Sequence, residues 1–371
     1  MNNLFSEFQP KTKAEWLAKV EKDLKGKPMD GLNWELTERL TFSPFAHAVD
    51  LENLPEPMVG NRESNAWEMG VFIKVADIKI ANKEALQALE NGANALCFAF
   101  SYTPDKEELT SLLKDIQLEW ISTNFQIFSP SWKKIVTTFL EIIVENGFDS
   151  TKVTGSFSFN KYKIEDIEHF NNFLQKLPKF HLLTVDAEDD FKGKENVIEE
   201  LAQTIKKGND LLIQLNNAGI GLKKAHSTIQ FSMVLSDSYF LNIAKIRALK
   251  LLWQQVLQAW DADRIADSPI EIHLTTATQT EDENYNKIKG TTQAMSAVIG
   301  GANRLYIYAS DEFKDEKGTA FGQRIALNIQ HLLQLESYLD RVVDASAGSY
   351  YIENMTNTLA EMSWNKFAGV Q

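Results

Sequence analysis

The stretch that decides the fold runs from Arg324 to Glu353 and reads RIALNIQHLLQLESYLDRVVDASAGSYYIE. Its first half has apolar residues at helical spacing, which predicts an amphipathic helix. These residues are Ile325, Ile329, Leu332, Leu333 and Leu335. The second half is small and polar, and it predicts a loop with a turn at Gly348, because glycine adopts backbone angles that other residues resist. The polar side chains of the helix form a solvated face or need partners: Arg324, Asn328, Gln330 and Glu336.

Upstream of this stretch, apolar β-rich runs alternate with helical patterns from residue 67 onward. Strands are predicted at 67–75, 95–100, 116–121, 152–159, 180–185, 228–235, 270–276 and 304–308. Helices are predicted at 82–91, 105–114, 131–146, 164–176, 195–218, 239–260, 284–299, 322–337 and 354–367. Eight strands, each followed by a helix, predict an α/β fold of the closed (β/α)8 TIM-barrel type. An open doubly wound sheet usually has a Gly-rich first turn, and neither GxGxxG nor GxxxxGK[ST] occurs here.

Residues 1–60 are predicted to form an N-terminal helical arm ahead of a barrel at 61–371. Thr12 is a candidate N-cap, and Glu15 three residues later completes a capping box. One face of the helix is apolar, with Trp16, Leu17, Val20 and Leu24. Since no core precedes this helix, its apolar stripe must be buried against the barrel or another chain. The arm is therefore predicted to be a subunit contact.

Composition excludes several classes of protein. The net charge of -13 is the opposite of the basic field that nucleic-acid-binding proteins show, and it gives no support to membrane-surface binding. No apolar run reaches the roughly 18 residues of a membrane span, and the N-terminus has no signal pattern. The single cysteine, Cys97, excludes an internal disulfide framework and a multi-cysteine metal site. We expect a cytoplasmic protein with a large core.

Several segments together resemble the methylmalonyl-CoA mutase family. The stretch quoted first is similar to the family's run RIARNTQ…ESHLDRVVDPAGGSYYVE at the end of its barrel domain. Residues 240–253, FLNIAKIRALKLLW, resemble the family helix FF..IAK.RAAR.LW. Read without the family, they are an amphipathic helix with two exposed cations, Lys245 and Arg247. Residues 271–280, EIHLTTATQT, resemble a strand that ends in THSQTSG-like residues.

The resemblance implies a set of candidate site residues. A substrate pocket would include His273, Thr275, Tyr285 and Asn286, and Glu312 would face the deoxyadenosyl group of the cofactor. Read without the family, Glu312 is a solvated loop carboxylate. In an alternative alignment that allows a gap, residues 279–280 replace Thr275.

The departures from the family pattern concern its chemistry. The family carries out a radical rearrangement of a succinyl or methylmalonyl thioester, with adenosylcobalamin supplying the radical. Its substrate-packing tyrosine corresponds to Ala46, and the Tyr-His pair after strand five is absent from residues 183–190. Ser158 and Thr228 replace a glutamine and a coenzyme A-contacting arginine. The cobalamin signature DxHxxG does not occur, so a C-terminal cobalamin-binding domain is not expected.

Three functions stay open from the sequence. In the leading hypothesis, the chain resembles the family's small, non-catalytic subunit. It has no catalytic or metal-ligating residues, binds no cofactor alone, and forms a heterodimer with a large subunit that carries adenosylcobalamin. In the second, it is the barrel of a split mutase that binds acyl-CoA and uses a separate cobalamin chain. In the third, the acidic clusters at 186–190 and 281–283 bind another ligand or a metal.

Overall fold

The computed structural model describes residues 9, 11–38, 40–52, 62–128, 132–159, 167–260, 268–313 and 317–369. A short antiparallel pair, β1 (Trp34–Thr37) and β2 (Leu40–Phe42), precedes the main sheet. The strands of the main sheet are β3 (Glu68–Lys74), β4 (Ala95–Phe100), β5 (Ser122–Ile127), β6 (Thr154–Phe159), β7 (Phe180–His181), β8 (Leu183–Asp186), β9 (Ile229–Val234), β10 (Ile270–Leu274) and β11 (Arg304–Ile307).

The main sheet closes into a barrel of parallel strands. Its order is β7-β6-β5-β4-β3-β11-β10-β9-β8, and all its pairs are parallel. β7 and β8 are two parts of one strand interrupted at Leu182, because β7 pairs with β6 while β8 pairs with β9. The hydroxyl of Thr184 on β8 also donates to the carbonyl oxygen of Phe157 on β6 at 3.0 Å. The predicted (β/α)8 barrel is confirmed.

Helices follow the barrel strands and cover them. The helices are α1 (Lys13–Asp23), α2 (Ile78–Glu90), α3 (Lys106–Leu112), α4 (Trp132–Glu145), α5 (Ile167–Lys176), α6 (Val197–Asn217), α7 (Leu222–Ser227), α8 (Tyr239–Ala259), α9 (Glu283–Ile299), α10 (Ala320–His331) and α11 (Tyr350–Ala368). α10 continues into a π-helical turn, Leu332–Glu336. The predicted helix starts at 131 and 164 lie outside the described residues. No helix in the described part of the chain is both long and apolar enough to cross a membrane.

One predicted strand is wrong, because the strand expected at 116–121 forms turns and β5 begins only at Ser122. Apolar residues within 116–121 gave that segment a strand-like pattern, yet Trp120 is 79% exposed. The true strand reads STNFQI and has polar residues at alternate positions. Ser122 and Asn124 point into the barrel bore and are buried there. Because polar side chains of this strand face the bore, its sequence lacks the apolar run by which a central strand is usually predicted.

The apolar core lies between the barrel strands and the surrounding helices. Phe125 on β5 stacks on Phe157 of β6, with 5.1 Å between ring centroids, and Phe139 of α4 packs edge-on against Phe125 at 5.2 Å. All three rings are at most 2% exposed. Because successive side chains of a strand point to opposite faces, the outward residues form this core and the inward residues fill the bore.

The N-terminal helix α1 has the predicted cap but little contact with the barrel. The Thr12 hydroxyl accepts the Glu15 N–H, and the Glu15 carboxylate accepts the Thr12 N–H, as in a capping box. None of the residues of α1 is buried. Trp16 is 40% exposed and contacts the ring of Phe45 at 4.5 Å. The described residues therefore cover the apolar stripe of α1 only in part, with Leu17, Val20 and Leu24 half-buried.

Candidate functional site

The floor of the barrel bore is a buried charge network centred on Arg304 of β11. The Arg304 guanidinium donates to Glu271 Oε2 at 2.9 Å and to Glu68 Oε2 at 2.5 Å. It also reaches across the bore to Ser122 Oγ at 2.8 Å and contacts Gln230 Oε1 at 3.3 Å. Five polar side chains from five strands are thus connected at the amino-terminal end of the barrel.

The pKa shifts in this network reflect its pairing. Burial alone would lower the pKa of Arg304, but the carboxylates of Glu68 and Glu271 outweigh burial and raise that pKa. Burial alone would raise the pKa of Glu271, but His273 and Arg304 outweigh it and hold that pKa below its ordinary value. Each charge is stable inside the barrel only because its partner is present.

His181 at the end of β7 makes the bore sensitive to acid. Burial, followed by the positive charge of Arg304, lowers the pKa of His181 from 6.5 to about 4. Its Nδ1 is enclosed and has no hydrogen-bond partner among the described residues. A protonated His181 would place a second cation near Arg304, and burial and Arg304 together outweigh the favourable effects of the Ser227 backbone and Glu271.

We expect the free energy of unfolding to fall between pH 6.5 and pH 4, because the unfolded chain protonates His181 before the folded chain does. This residue accounts for up to about 3 kcal/mol over that range. In urea unfolding, the free energy of unfolding should depend less steeply on pH in His181→Gln than in the wild type. His331→Gln, which alters a histidine on the outside of α10, is the control. Equal slopes for wild type and His181→Gln would contradict this assignment.

Aromatic side chains fill the bore above the charge network. The ring of His273 lies 4.6 Å from that of Tyr306, which is completely buried. Phe72 stacks on Tyr308 at 4.9 Å and packs edge-on against His273 at 5.7 Å. His273 Nε2 also lies 3.5 Å from Glu271 Oε1. These four rings, from β3, β10 and the end of β11, occupy the space in which a barrel enzyme would hold its substrate.

The space that the described residues leave beside the ring cluster is small. A cavity of about 10 Å³ lies beside the ring cluster. It is lined by Cys97, Asn124, Phe125, Gln126, Ser156, Ser158, Ser232, Glu271 and His273. This volume is about that of one water-sized probe, whereas ligand pockets usually have about 300–1,000 Å³. The described residues therefore leave no room for an organic ligand beside the ring cluster.

Charged side chains surround the carboxyl-terminal mouth of the barrel. Glu312 pairs with Lys74 at 2.7 Å, and burial raises the pKa of Glu312 despite this partner. On the other side of the mouth, burial raises the pKa of Asp186 and of Glu188. The candidate cofactor residue Glu312 thus lies at the mouth in an ion pair rather than as a free loop carboxylate.

The predicted pocket residues do not all point to one cavity. His273 lies in the bore. Thr275 accepts the N–H of Ala277 at 3.3 Å and caps a short turn. Tyr285 is 51% exposed on the outer surface of α9. Asn286 is buried, and its amide donates to the carbonyl oxygens of Thr280 at 2.8 Å and Ser310 at 2.9 Å, so that it ties two barrel loops together.

The two cations of helix α8 are buried, which corrects their interpretation as exposed. Lys245 is 3% exposed, and its Nζ lies 2.5 Å from the carboxylate of Glu200 and donates to the Val234 carbonyl at 2.8 Å. Arg247 pairs with Asp344 and, at 2.6 Å, with Glu353. The sequence motif on α8 and the motif at 342–353 are therefore joined by ion pairs.

Sequence reasoning missed Arg304, Glu271 and the ring cluster. The strands that carry them have a signal, since EIH at 271–273 and RLYIY at 304–308 place polar or aromatic residues at every second position. Such alternation in a strand covered by helices on one side predicts a polar bore. Which bore residues contact one another follows only from the closed geometry.

A closed barrel of parallel strands, with a buried charge network at its floor and a cluster of aromatic rings above it, defines an α/β-barrel domain. The methylmalonyl-CoA mutase family model matches residues 163–371, and the chain belongs to this family. It is 31% identical over 396 residues to the methylmalonyl-CoA mutase small subunit of Porphyromonas gingivalis, covering 99% of this chain and 64% of that protein.

Other relatives are similar along nearly the whole chain. The small subunit from Propionibacterium freudenreichii subsp. shermanii is 25% identical, with 100% of this chain and 63% of that protein covered. A methylmalonyl-CoA mutase from Rhizobium meliloti is 26% identical, with 97% and 58% covered. The chain therefore spans less than two thirds of the length of these relatives.

Proposed function

We propose that this chain is a non-catalytic, small-subunit-type barrel that supports a catalytic mutase subunit. The partner would bind adenosylcobalamin and interconvert methylmalonyl-CoA and succinyl-CoA. The protein is expected to work in the cytoplasm. The names of the small-subunit relatives support the assignment to the small-subunit type.

The filled bore is the observation that carries the proposal. Phe72, His273, Tyr306 and Tyr308 pack against one another, and the cavity left beside them has about 10 Å³. An acyl thioester needs space next to an acid and a positioning group, and the described residues leave no such space beside the ring cluster. His273 lies in that cluster and is held by Glu271 and Tyr306.

The proposal places adenosylcobalamin on the partner subunit. A lower ligand to cobalt requires an accessible imidazole nitrogen, and three of the described histidines use one ring nitrogen for a contact within the protein. His47 Nδ1 accepts the N–H of Val49, His226 Nε2 contacts Ser268 Oγ, and His331 Nε2 contacts the Asn91 carbonyl. In this proposal, no step of the reaction is assigned to this chain.

The arm supports the proposed partner contact. Helix α1 has an apolar stripe that the described residues cover only in part, and Trp16, its largest member, is 40% exposed. Exposed apolar residues on one face of a helix are typical of an interaction site. We infer that α1 packs on the catalytic subunit.

Co-expression with an adenosylcobalamin-dependent large mutase subunit from the same genome tests this function. We expect the two chains to elute together at equal stoichiometry in size-exclusion chromatography. The complex should be active, and this chain alone should neither turn over nor bind methylmalonyl-CoA. Turnover by this chain with a small, separate cobalamin protein would instead establish the split-mutase alternative.

A pair of variants tests the arm. Trp16→Asp should weaken co-elution by at least about tenfold in apparent affinity, because a large aromatic anchor at an interface often contributes 2 kcal/mol or more. Lys19→Ala, on the same helix but in an exposed pair with Asp23, should have little effect. Full complex formation by Trp16→Asp would contradict the assignment of α1.

A further inference from the structure

The first and last barrel strands, β3 and β11, separate before their carboxyl ends. Their ladder stops at the pair Tyr306–Gly70, whereas β3 remains paired with β4 as far as Lys74. Beyond this point a cleft of about 320 Å³ opens outward between α2 and α10. The stacked rings of Phe72 and Tyr308 separate the cleft from the bore.

The contacts at the base of this opening are specific. A Cβ at Gly70 would lie 2.3 Å from the ring of Tyr306, so only glycine permits this close approach. The amide of Gln330 on α10 donates to the Gly70 carbonyl oxygen at 3.2 Å, and its oxygen accepts the Trp67 indole N–H at 3.3 Å. The Gln330 side chain therefore replaces a strand partner for the Gly70 carbonyl oxygen, and the opening is part of the folded structure.

The walls of the cleft are polar and its floor is apolar. Glu84 and Gln87 of α2 and its C-cap residue Asn91 are spaced by three and four residues and line the cleft. Gln323 and Arg324 of α10 line it as well. Neighbouring barrel helices usually bury apolar faces, so polar side chains on both sides of a gap are unusual. The floor is formed by Val71, Ile73, Ile307 and Leu327.

Among the described residues that line it, the cleft has one positive charge in excess. Lys74 pairs with Glu312 at 2.7 Å, and Lys317 lies 3.9 Å from Glu84. Arg324 has no carboxylate within ion-pair distance in the part of the chain that the structure describes. Three cations against two carboxylates give a net charge of +1 here, in a chain whose total is -13.

We propose that this cleft binds a small amphipathic carboxylic acid, with the carboxylate at Arg324 and the aliphatic part on the apolar floor. A planar guanidinium binds a carboxylate through two parallel hydrogen bonds, which favours this anion over a cation or a neutral group. The volume is at the lower end of the range for ligand sites. The inference is independent of the partner proposed above.

Three probes with the same aliphatic body test the charge preference: hexanoate, hexan-1-ol and hexylammonium. Binding to the full chain is measured by ligand-observed saturation-transfer NMR and by calorimetry. We expect hexanoate to bind with a Kd on the order of 1 mM, as a ligand of this size should. Hexylammonium should bind at least about tenfold more weakly, since a charge-assisted hydrogen bond contributes 1.5–3 kcal/mol.

Variants locate the site. Arg324→Gln should raise the Kd of hexanoate by about tenfold or more. Gln87→Trp, which places a large ring in the cleft from an exposed wall, should abolish binding. Arg341→Gln, which alters an exposed arginine after the π-helical turn, is the control and should leave the Kd unchanged. Equal binding of hexylammonium, an unchanged Kd in both cleft variants, or no saturable hexanoate binding would overturn the proposal.

Discussion

Arg304→Leu should lower the free energy of unfolding by about 3–5 kcal/mol, which is the expected cost of removing one partner of a buried ion pair. Glu271 would keep its charge inside the bore, where its side chain is 7% exposed. Ser122 and Gln230 would lose a donor as well. Glu68 is less affected, because its side chain is 38% exposed and water can solvate it. Urea unfolding at pH 7 measures the loss.

Two controls separate the unpaired charge from lost packing. Arg304→Leu combined with Glu271→Leu should recover part of the stability, because the buried carboxylate is then gone. In the single variant, the pKa of Glu271 should be higher than in the wild type, since His273 alone then opposes the effect of burial. The stability deficit of Arg304→Leu should therefore shrink as the pH falls below that raised pKa. A deficit under about 1 kcal/mol at pH 7 would contradict the role assigned to this network.

The alternation of strands and helices could be predicted from the sequence because it depends on local periodicity. Outward-facing strand residues and inward-facing helix residues share one apolar core, and both leave regular patterns. The pattern failed at β5, where the bore requires polar residues such as Ser122 and Asn124 within a buried strand. A rule that predicts central strands from continuous apolar runs does not identify a strand with polar residues facing the bore.

The filling of the bore could not be predicted, because it depends on contacts between residues far apart in the chain. Phe72 and Tyr308 are separated by more than half of the sequence, yet their rings stack at 4.9 Å. Each residue alone is an ordinary strand aromatic. Only barrel closure, which brings β3 next to β11, places these rings over the same space as His273.

The resemblance to the mutase family was strongest at residues that hold the fold together. Asn286 ties two loops, Gln330 bridges Trp67 and Gly70, and Arg247 joins α8 to residues 342–353. These side chains need buried partners rather than a substrate. The matching motifs therefore identify the fold, whereas the function depends on the bore and the mouth.

Arg247→Met is the second substitution with a large expected effect, again about 3–5 kcal/mol of unfolding free energy. Arg247 is 8% exposed and lies between α8 and the start of α11. Its loss leaves the Glu353 carboxylate, whose side chain is 5% exposed, without its ion-pair partner, and also frees Asp344. The Glu353 carboxylate also accepts the Gly348 N–H at 3.1 Å, so the loop before α11 should loosen as well.

A double-mutant cycle with Arg247→Met and Glu353→Gln measures this interaction directly. Glu353→Gln keeps the size of the side chain and removes its charge, so the double variant should be more stable than the sum of the single losses predicts, by about 1–3 kcal/mol. Hydrogen exchange should increase at the amides of residues 344–353 in Arg247→Met. Arg341→Gln, whose side chain is 71% exposed in the same stretch, should change stability by less than about 1 kcal/mol. Additive losses in the cycle would show that the two motifs fold independently, and the ion pair would then not be what joins α8 to α11.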